Sequence, residues 1–172
     1  MKNSKLYSRT AITAFGIILT MMSGVTHAEI LTGRVRGISD GDTLTLVDAS
    51  EVQFKIRLRG IDSPEKGQAF GQFCKNSLSD LAYGRAAKID WQKLDRYGRI
   101  IGTVLVDERD INLEQVRRGC GWHFKKYQNE QSLNDRLSYS AAEEAARKGK
   151  VGLWADSDPV PPWIWRATAK YK

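Results

Sequence analysis

The chain has 172 residues, with 27 lysines and arginines against 20 aspartates and glutamates and only two cysteines. That length holds one domain with a real hydrophobic core. Past the first residues no stretch is apolar enough to cross a bilayer, and neither a repeat nor a low-complexity linker is present, so a multi-span membrane protein and a repeat array are excluded. The formal net charge of +7 fits a polyanionic partner without demanding one, because net charge also serves solubility.

At the start, Lys2, Lys5 and Arg9 precede an apolar run from Ala11 to Met22, and Val25-Thr26-His27-Ala28 supplies small residues near a cleavage point. This pattern predicts a secretory signal peptide over residues 1–28, the run being too short and wrongly flanked for a permanent span; an N-terminal anchor is the alternative. Cleavage would leave residues 29–172 with 24 basic against 20 acidic side chains, a charge of about +4. A secreted or periplasmic location is then expected, with a monomer as the working form. In an oxidising compartment Cys74 and Cys120 can pair, and a disulfide between them is expected; two buried free thiols are the alternative.

The remaining chain reads as β-rich first and helical later. Ile30 to Ile38 and Thr43 to Val47 alternate around the turn Ser39-Asp40-Gly41-Asp42, and Val52 to Ile61 follows a second polar turn. Phe70, Phe73, Cys74, Ser77, Leu78 and Leu81 recur at helical spacing before Gly84. Ala87 to Trp91 and Ile100 to Val106 predict two more strands, joined through Asp95-Arg96-Tyr97-Gly98. A short helix from Ile111 to Gly119 and a longer one from about Ser132 to Lys148 complete the pattern. The proline- and tryptophan-rich tail is expected to lie extended over the body. Five short strands with one helix between the third and fourth predict an α+β, β-rich domain: a five-stranded OB-type barrel with about three helices around it.

The chemistry has few candidates. The mature chain holds one histidine, His123, between Trp122 and Phe124, with no G-x-S-x-G, C-x-x-C or H-E-x-x-H spacing near it. It reads as a packed or strand-face histidine. Carboxylates and arginines remain. Asp40 and Asp42 lie two apart at a turn, and Asp62 and Glu65 sit in "RLRGIDSPE" after the third strand. Such hard oxygens suit Ca²⁺ or Mg²⁺. Singly, Asp40 could be plain Asp-Gly turn chemistry and Ser63 a helix cap before Pro64. Arg57 and Arg99 add guanidinium forks that match phosphate oxygens, the partners phosphoryl transfer requires. Arg57 and Asp62 have opposite parity on an ideal strand, so they can share a site only if the chain kinks, and Gly60 is the place for it.

"DGDT", "IRLRGIDSPE" and "DRYGR", in this order and separation, closely resemble the staphylococcal nuclease (thermonuclease) family, and the similarity continues through "INLEQVRRGCGWHFKKY" and "AAEEAARKGKVGLW". The resemblance implies the OB barrel and a Ca²⁺-dependent phosphodiesterase that hydrolyses DNA and RNA to 3′-phosphate and 5′-hydroxyl ends. Carried over by motif, Asp42 and Asp62 are the expected metal carboxylates, with Ser63, in place of a frequent threonine, giving its backbone carbonyl. Asp40 would lie next to the metal. Glu65 resembles the residue that positions or deprotonates the attacking water, and Arg57 and Arg99 the pair that grips the scissile phosphate. Lys125 and Tyr127 fall where the family places two tyrosines over the base, so Tyr127 would stack and Lys125 could touch phosphate. The competing reading is a non-catalytic OB module that binds single-stranded nucleic acid. Clustered carboxylates on a phosphate-binding face argue against it, since without a cation they repel the ligand.

Overall fold

The computed structural model describes residues 29–169; the expected signal peptide lies outside the described residues. Strands β1 (Glu29–Ile38), β2 (Thr43–Val47) and β3 (Gln53–Leu58) form an antiparallel meander. β3 stops where Gly60 adopts a positive φ of 78°, a conformation cheap only for glycine, and the chain resumes as the two-residue β4 (Ile61–Asp62). The kink expected at Gly60 is therefore present. After helix α1 (Gly71–Ala82), β5 (Ala86–Leu94) pairs with β1, and β6 (Ile100–Val106) pairs with β5.

Closure comes from β3 and β6, which run parallel with Arg57 opposite Ile101 and Leu58 opposite Gly102. The five strands thus close into a barrel, as the sequence pattern predicts. This closure sets the end of β3 beside the start of β6, so the loop carrying Arg99 arrives at the same rim as Arg57. Side chains alternate across each strand, and on β6 Ile100, Gly102, Val104 and Val106 face inward. Leu44, Leu46, Ile56, Leu58, Ile89 and Val104 fill the interior with almost no exposure. Each such residue contributes about 1.5–3 kcal/mol of burial energy.

The remaining elements are β7 (Arg109–Asp110), α2 (Ile111–Arg117), β8 (Trp122–His123), α3 (Leu133–Lys148) and α4 (Pro162–Ala169). Asp110 and Ser132 cap α2 and α3 by accepting the Leu113 and Asp135 amide N–H groups. β8 pairs with β4, Asp62 opposite Trp122, which clamps the stretch after the Gly60 kink against the helical side of the molecule. Among the described residues no helix is long and apolar enough to cross a membrane.

Two local expectations are corrected, and one alternative, the Ser63 cap, is ruled out. Phe70 precedes α1 in a left-handed conformation (φ 63°), and Phe73 is solvent-exposed; the buried face is Cys74, Ser77, Leu78, Leu81 and Ala82. Ser63 starts no helix, because its hydroxyl donates to the Cys120 carbonyl (2.7 Å) and α1 begins only at Gly71. The tail is not extended throughout: Pro162 opens α4, a position where its missing N–H costs nothing, and the helix folds back over the barrel rim.

Candidate active site

The site is built at the rim where β2 begins and β3 and β4 end. In the Asp40-Gly41-Asp42 turn, the Asp40 carboxylate accepts the Asp42 N–H (3.1 Å). The Asp42 backbone carbonyl in turn accepts the Leu58 N–H (2.8 Å), tying the turn to the end of β3. Gln115 of α2 supports the turn from beneath, donating to the carbonyls of Gly41 (2.6 Å) and Cys74 (3.1 Å). Gly41 is required sterically, since a Cβ there would run into Ser63 Oγ and lie 2.9 Å from Cys74 Cβ. Asp42, held in this way, is almost fully buried and accepts the Ser63 N–H at 2.6 Å.

Past the kink, Asp62 is fully buried and meets Asp42 across one guanidinium: Arg57 pairs with Asp42 and, through Nη2, with Asp62 Oδ1 at 2.6 Å. Burial pushes the Arg57 guanidinium below its ordinary range; Asp62 and Asp40 oppose the shift, and Arg99 adds to it. It remains a cation, as arginine does in proteins. The parity conflict between Arg57 and Asp62 is resolved by Gly60, which turns the strand between them.

Arg99 is fixed by its own loop. Asp95 accepts the amides of Tyr97 (2.8 Å) and Arg99 (3.0 Å) through one oxygen and Arg99 Nε (2.7 Å) through the other. Burial raises the Asp95 carboxyl, but these donors outweigh it and hold it below the usual carboxylate range. Asp40, Arg57, Glu65 and Arg99 line one open cleft of about 820 Å³. Tyr127 and Lys126 line it too, whereas Lys125 turns away to pair with Glu143 at 3.1 Å. The expected phosphate contact from Lys125 is thus not set up in this structure; its neighbour Lys126 faces the cleft. His123 is buried, bonded through Nε2 to Gln131 Oε1 (2.9 Å) and packed beside Tyr139, away from the cleft.

One site residue was not legible. Arg166 of α4 donates twice to Asp62 (3.1 and 2.7 Å) and once to Glu65 (2.5 Å). The bonds to Asp62, ahead of those to Glu65, push its guanidinium above its ordinary value. Pro-Pro followed by an apolar helix with a single arginine was the available signal, hidden by reading the prolines as extended chain.

Hard carboxylate oxygens that already share a cation fit Ca²⁺ by donor chemistry, with Asp42 and Asp62 as holders. Among the described residues, no three acidic, histidine or cysteine side chains form a closed cage, so such a site would complete its shell with backbone oxygens, water or substrate.

An OB-type barrel whose rim sets arginines and a glutamate around one open cleft, over buried aspartates, has the make-up of a phosphodiester-cleaving hydrolase. The Staphylococcal nuclease homologue family matches residues 55–156, and the chain belongs to that family, a family of nucleases. It is similar to an endonuclease of Haemophilus influenzae, with 41% identity over 92% of this chain and 85% of that protein. It is also similar to an endonuclease of Escherichia coli, with 36% identity over 87% of this chain and 94% of that protein. A micrococcal nuclease of Shigella flexneri is 30% identical over 93% of this chain and 94% of its own.

Cys74 and Cys120 are both buried and are free thiols in this structure, so the expected disulfide is not formed here. They are nevertheless neighbours: the Cys120 thiol, together with burial, pushes the Cys74 thiol far up. We retain pairing after export as a proposal. Intact mass of exported protein, unfolded in denaturant and alkylated without reductant, is expected to show no modified thiol; two modified thiols would refute it.

Proposed function

We propose that the protein is a Ca²⁺-dependent endonuclease that hydrolyses DNA and RNA, leaving 3′-phosphate and 5′-hydroxyl ends. The observation that carries this reading is the convergence of Asp42, Asp62, Arg57, Glu65 and Arg99 on one rim of a nuclease-family barrel. The competing binding module gains nothing from buried carboxylates beneath a phosphate site, whereas a hydrolase uses them.

In this reading Asp42 and Asp62, with the Ser63 carbonyl, would hold the ion, which when bound supplies positive charge for the phosphate oxygens. Arg57 and Arg99 approach the scissile phosphate from the barrel and from the Asp95 loop and neutralise the charge that builds on its oxygens. Glu65, partly exposed at the cleft, takes a proton from the attacking water, whose oxygen joins phosphorus as the bond to the 5′-oxygen breaks and that oxygen takes up a proton from solvent to leave as the 5′-hydroxyl. Tyr127 offers a face for a base and Lys126 a phosphate contact. The N-terminal segment is proposed to direct export to the periplasm or medium, where the enzyme would act as a monomer.

The test is plasmid cleavage in Ca²⁺, in Mg²⁺ and in chelator, with mass analysis of the ends. We expect full activity in Ca²⁺, less in Mg²⁺ and none in chelator. Equal turnover in Mg²⁺ alone, or 5′-phosphate ends, would reject the reading.

A further inference from the structure

Asp62 is fully buried and receives two guanidinium groups, and their attachments differ. Arg57 is 17% exposed and belongs to a strand hydrogen-bonded on both sides. Arg166 is 41% exposed and belongs to an eight-residue helix at the far end of the chain. That helix is docked by few contacts. Trp163 stacks on Phe124 (5.4 Å between centroids) and meets Trp122 edge-on (5.5 Å), and Gln68 holds the preceding segment through the Val160 carbonyl (2.6 Å).

Both Asp62 oxygens and one Glu65 oxygen are therefore occupied by Arg166. Arg57 already neutralises Asp42 and one side of Asp62, whereas Asp62 and Glu65 share only Arg166, and a guanidinium that bridges two carboxylates removes their mutual repulsion. A divalent ion held by Asp42 and Asp62 would need the Asp62 oxygens that Arg166 occupies. The two cations cannot both have them.

We propose that Arg166 is a positioning residue that acts as a built-in counter-cation: it holds Asp62 and Glu65 in place when no divalent ion is bound and gives them up when one binds. Docking of α4 and ion binding then oppose each other, and the last helix sets the ion concentration at which the site fills. This rests on the divalent-metal reading of the site. Linkage makes the coupling reciprocal: ion binding loosens α4 as much as α4 weakens the ion.

The test is calorimetric titration of Ca²⁺, without nucleotide, into the wild-type protein, Arg166→Gln and Arg166→Lys, with melting in chelator alongside. Arg166→Gln is expected to bind Ca²⁺ about tenfold more tightly than wild type, a typical coupling. In chelator it should melt lower than wild type, because the carboxylates lose their partner. Arg166→Lys should lie between, since lysine makes a point contact where arginine makes a fork. A folded Arg166→Gln with equal or weaker Ca²⁺ affinity overturns the proposal. If that variant does not fold, Arg166→Lys decides, and an affinity no tighter than wild type overturns it. Wild-type binding without a difference between variants removes only this inference; no binding by any of the three removes the metal reading as well.

Discussion

Arg57 and Arg166 reach Asp62 from different parts of the chain, one from the end of a barrel strand and the other from the final helix. Arg57 is held by ladder bonds to β2 and β6, and its side chain has little room to go elsewhere. Arg166 depends on a tryptophan stack and a single loop hydrogen bond. The barrel thus supplies the part of the site that must not move, and the tail supplies a part that can. Preorganised charge belongs on rigid elements, whereas adjustable contacts come from segments of low local stability.

The rigid side should break most severely. Arg57→Lys, Arg99→Lys and Glu65→Gln are each expected to lower turnover by roughly 10² or more while the fold survives, because in the proposed reaction lysine loses the two-pronged fork on the phosphate and glutamine cannot take the water's proton. Steady-state hydrolysis with circular dichroism checks this, and near-normal rates in folded variants would contradict it. Next in size, Gly41→Ala should cost about 1–3 kcal/mol, since the new methyl must displace Ser63 and Cys74 beneath the Asp42 turn. A melting temperature unchanged from wild type would show that the turn is less tightly supported than these contacts require.

On the adjustable side, Trp163→Ala should cost about 1 kcal/mol or more by losing its aromatic partners, yet tighten Ca²⁺ binding by freeing α4. Weaker ion binding in this variant would instead make α4 part of the rigid frame. The smallest contrast separates two adjacent lysines. Lys126→Ala should weaken polynucleotide binding and lower the salt dependence by about one phosphate contact. Lys125→Ala should leave binding within about twofold and cost at most about 1 kcal/mol, because its partner is Glu143. Equal effects of the two on binding would show that Lys125 swings into the cleft.

Much of this site is legible in the sequence. Alternation in Thr43–Val47 and Ile100–Val106, the Asp-Gly turn and the helix caps are local signals, and local propensity with side-chain periodicity determined them. Asp42, Asp62, Glu65, Arg57 and Arg99 stood in short motifs at strand ends, where barrel topology converts sequence order into one rim. Three features needed the tertiary structure. Lys125 and Lys126 differ only in which way a 3-10 turn (Lys125–Glu130) aims them, a matter of one residue of rotation. Cys74 and Cys120 were expected to meet, but that they stay free thiols where α1 packs against the chain after α2 is seen only in the structure. Arg166 lies 104 residues from Asp62, and it arrives there because Trp163 finds Phe124 and Trp122. Composition and period decide what forms along the chain; which distant side chain meets a buried charge is decided by packing, since hydrophobic burial carries no address until the surfaces exist.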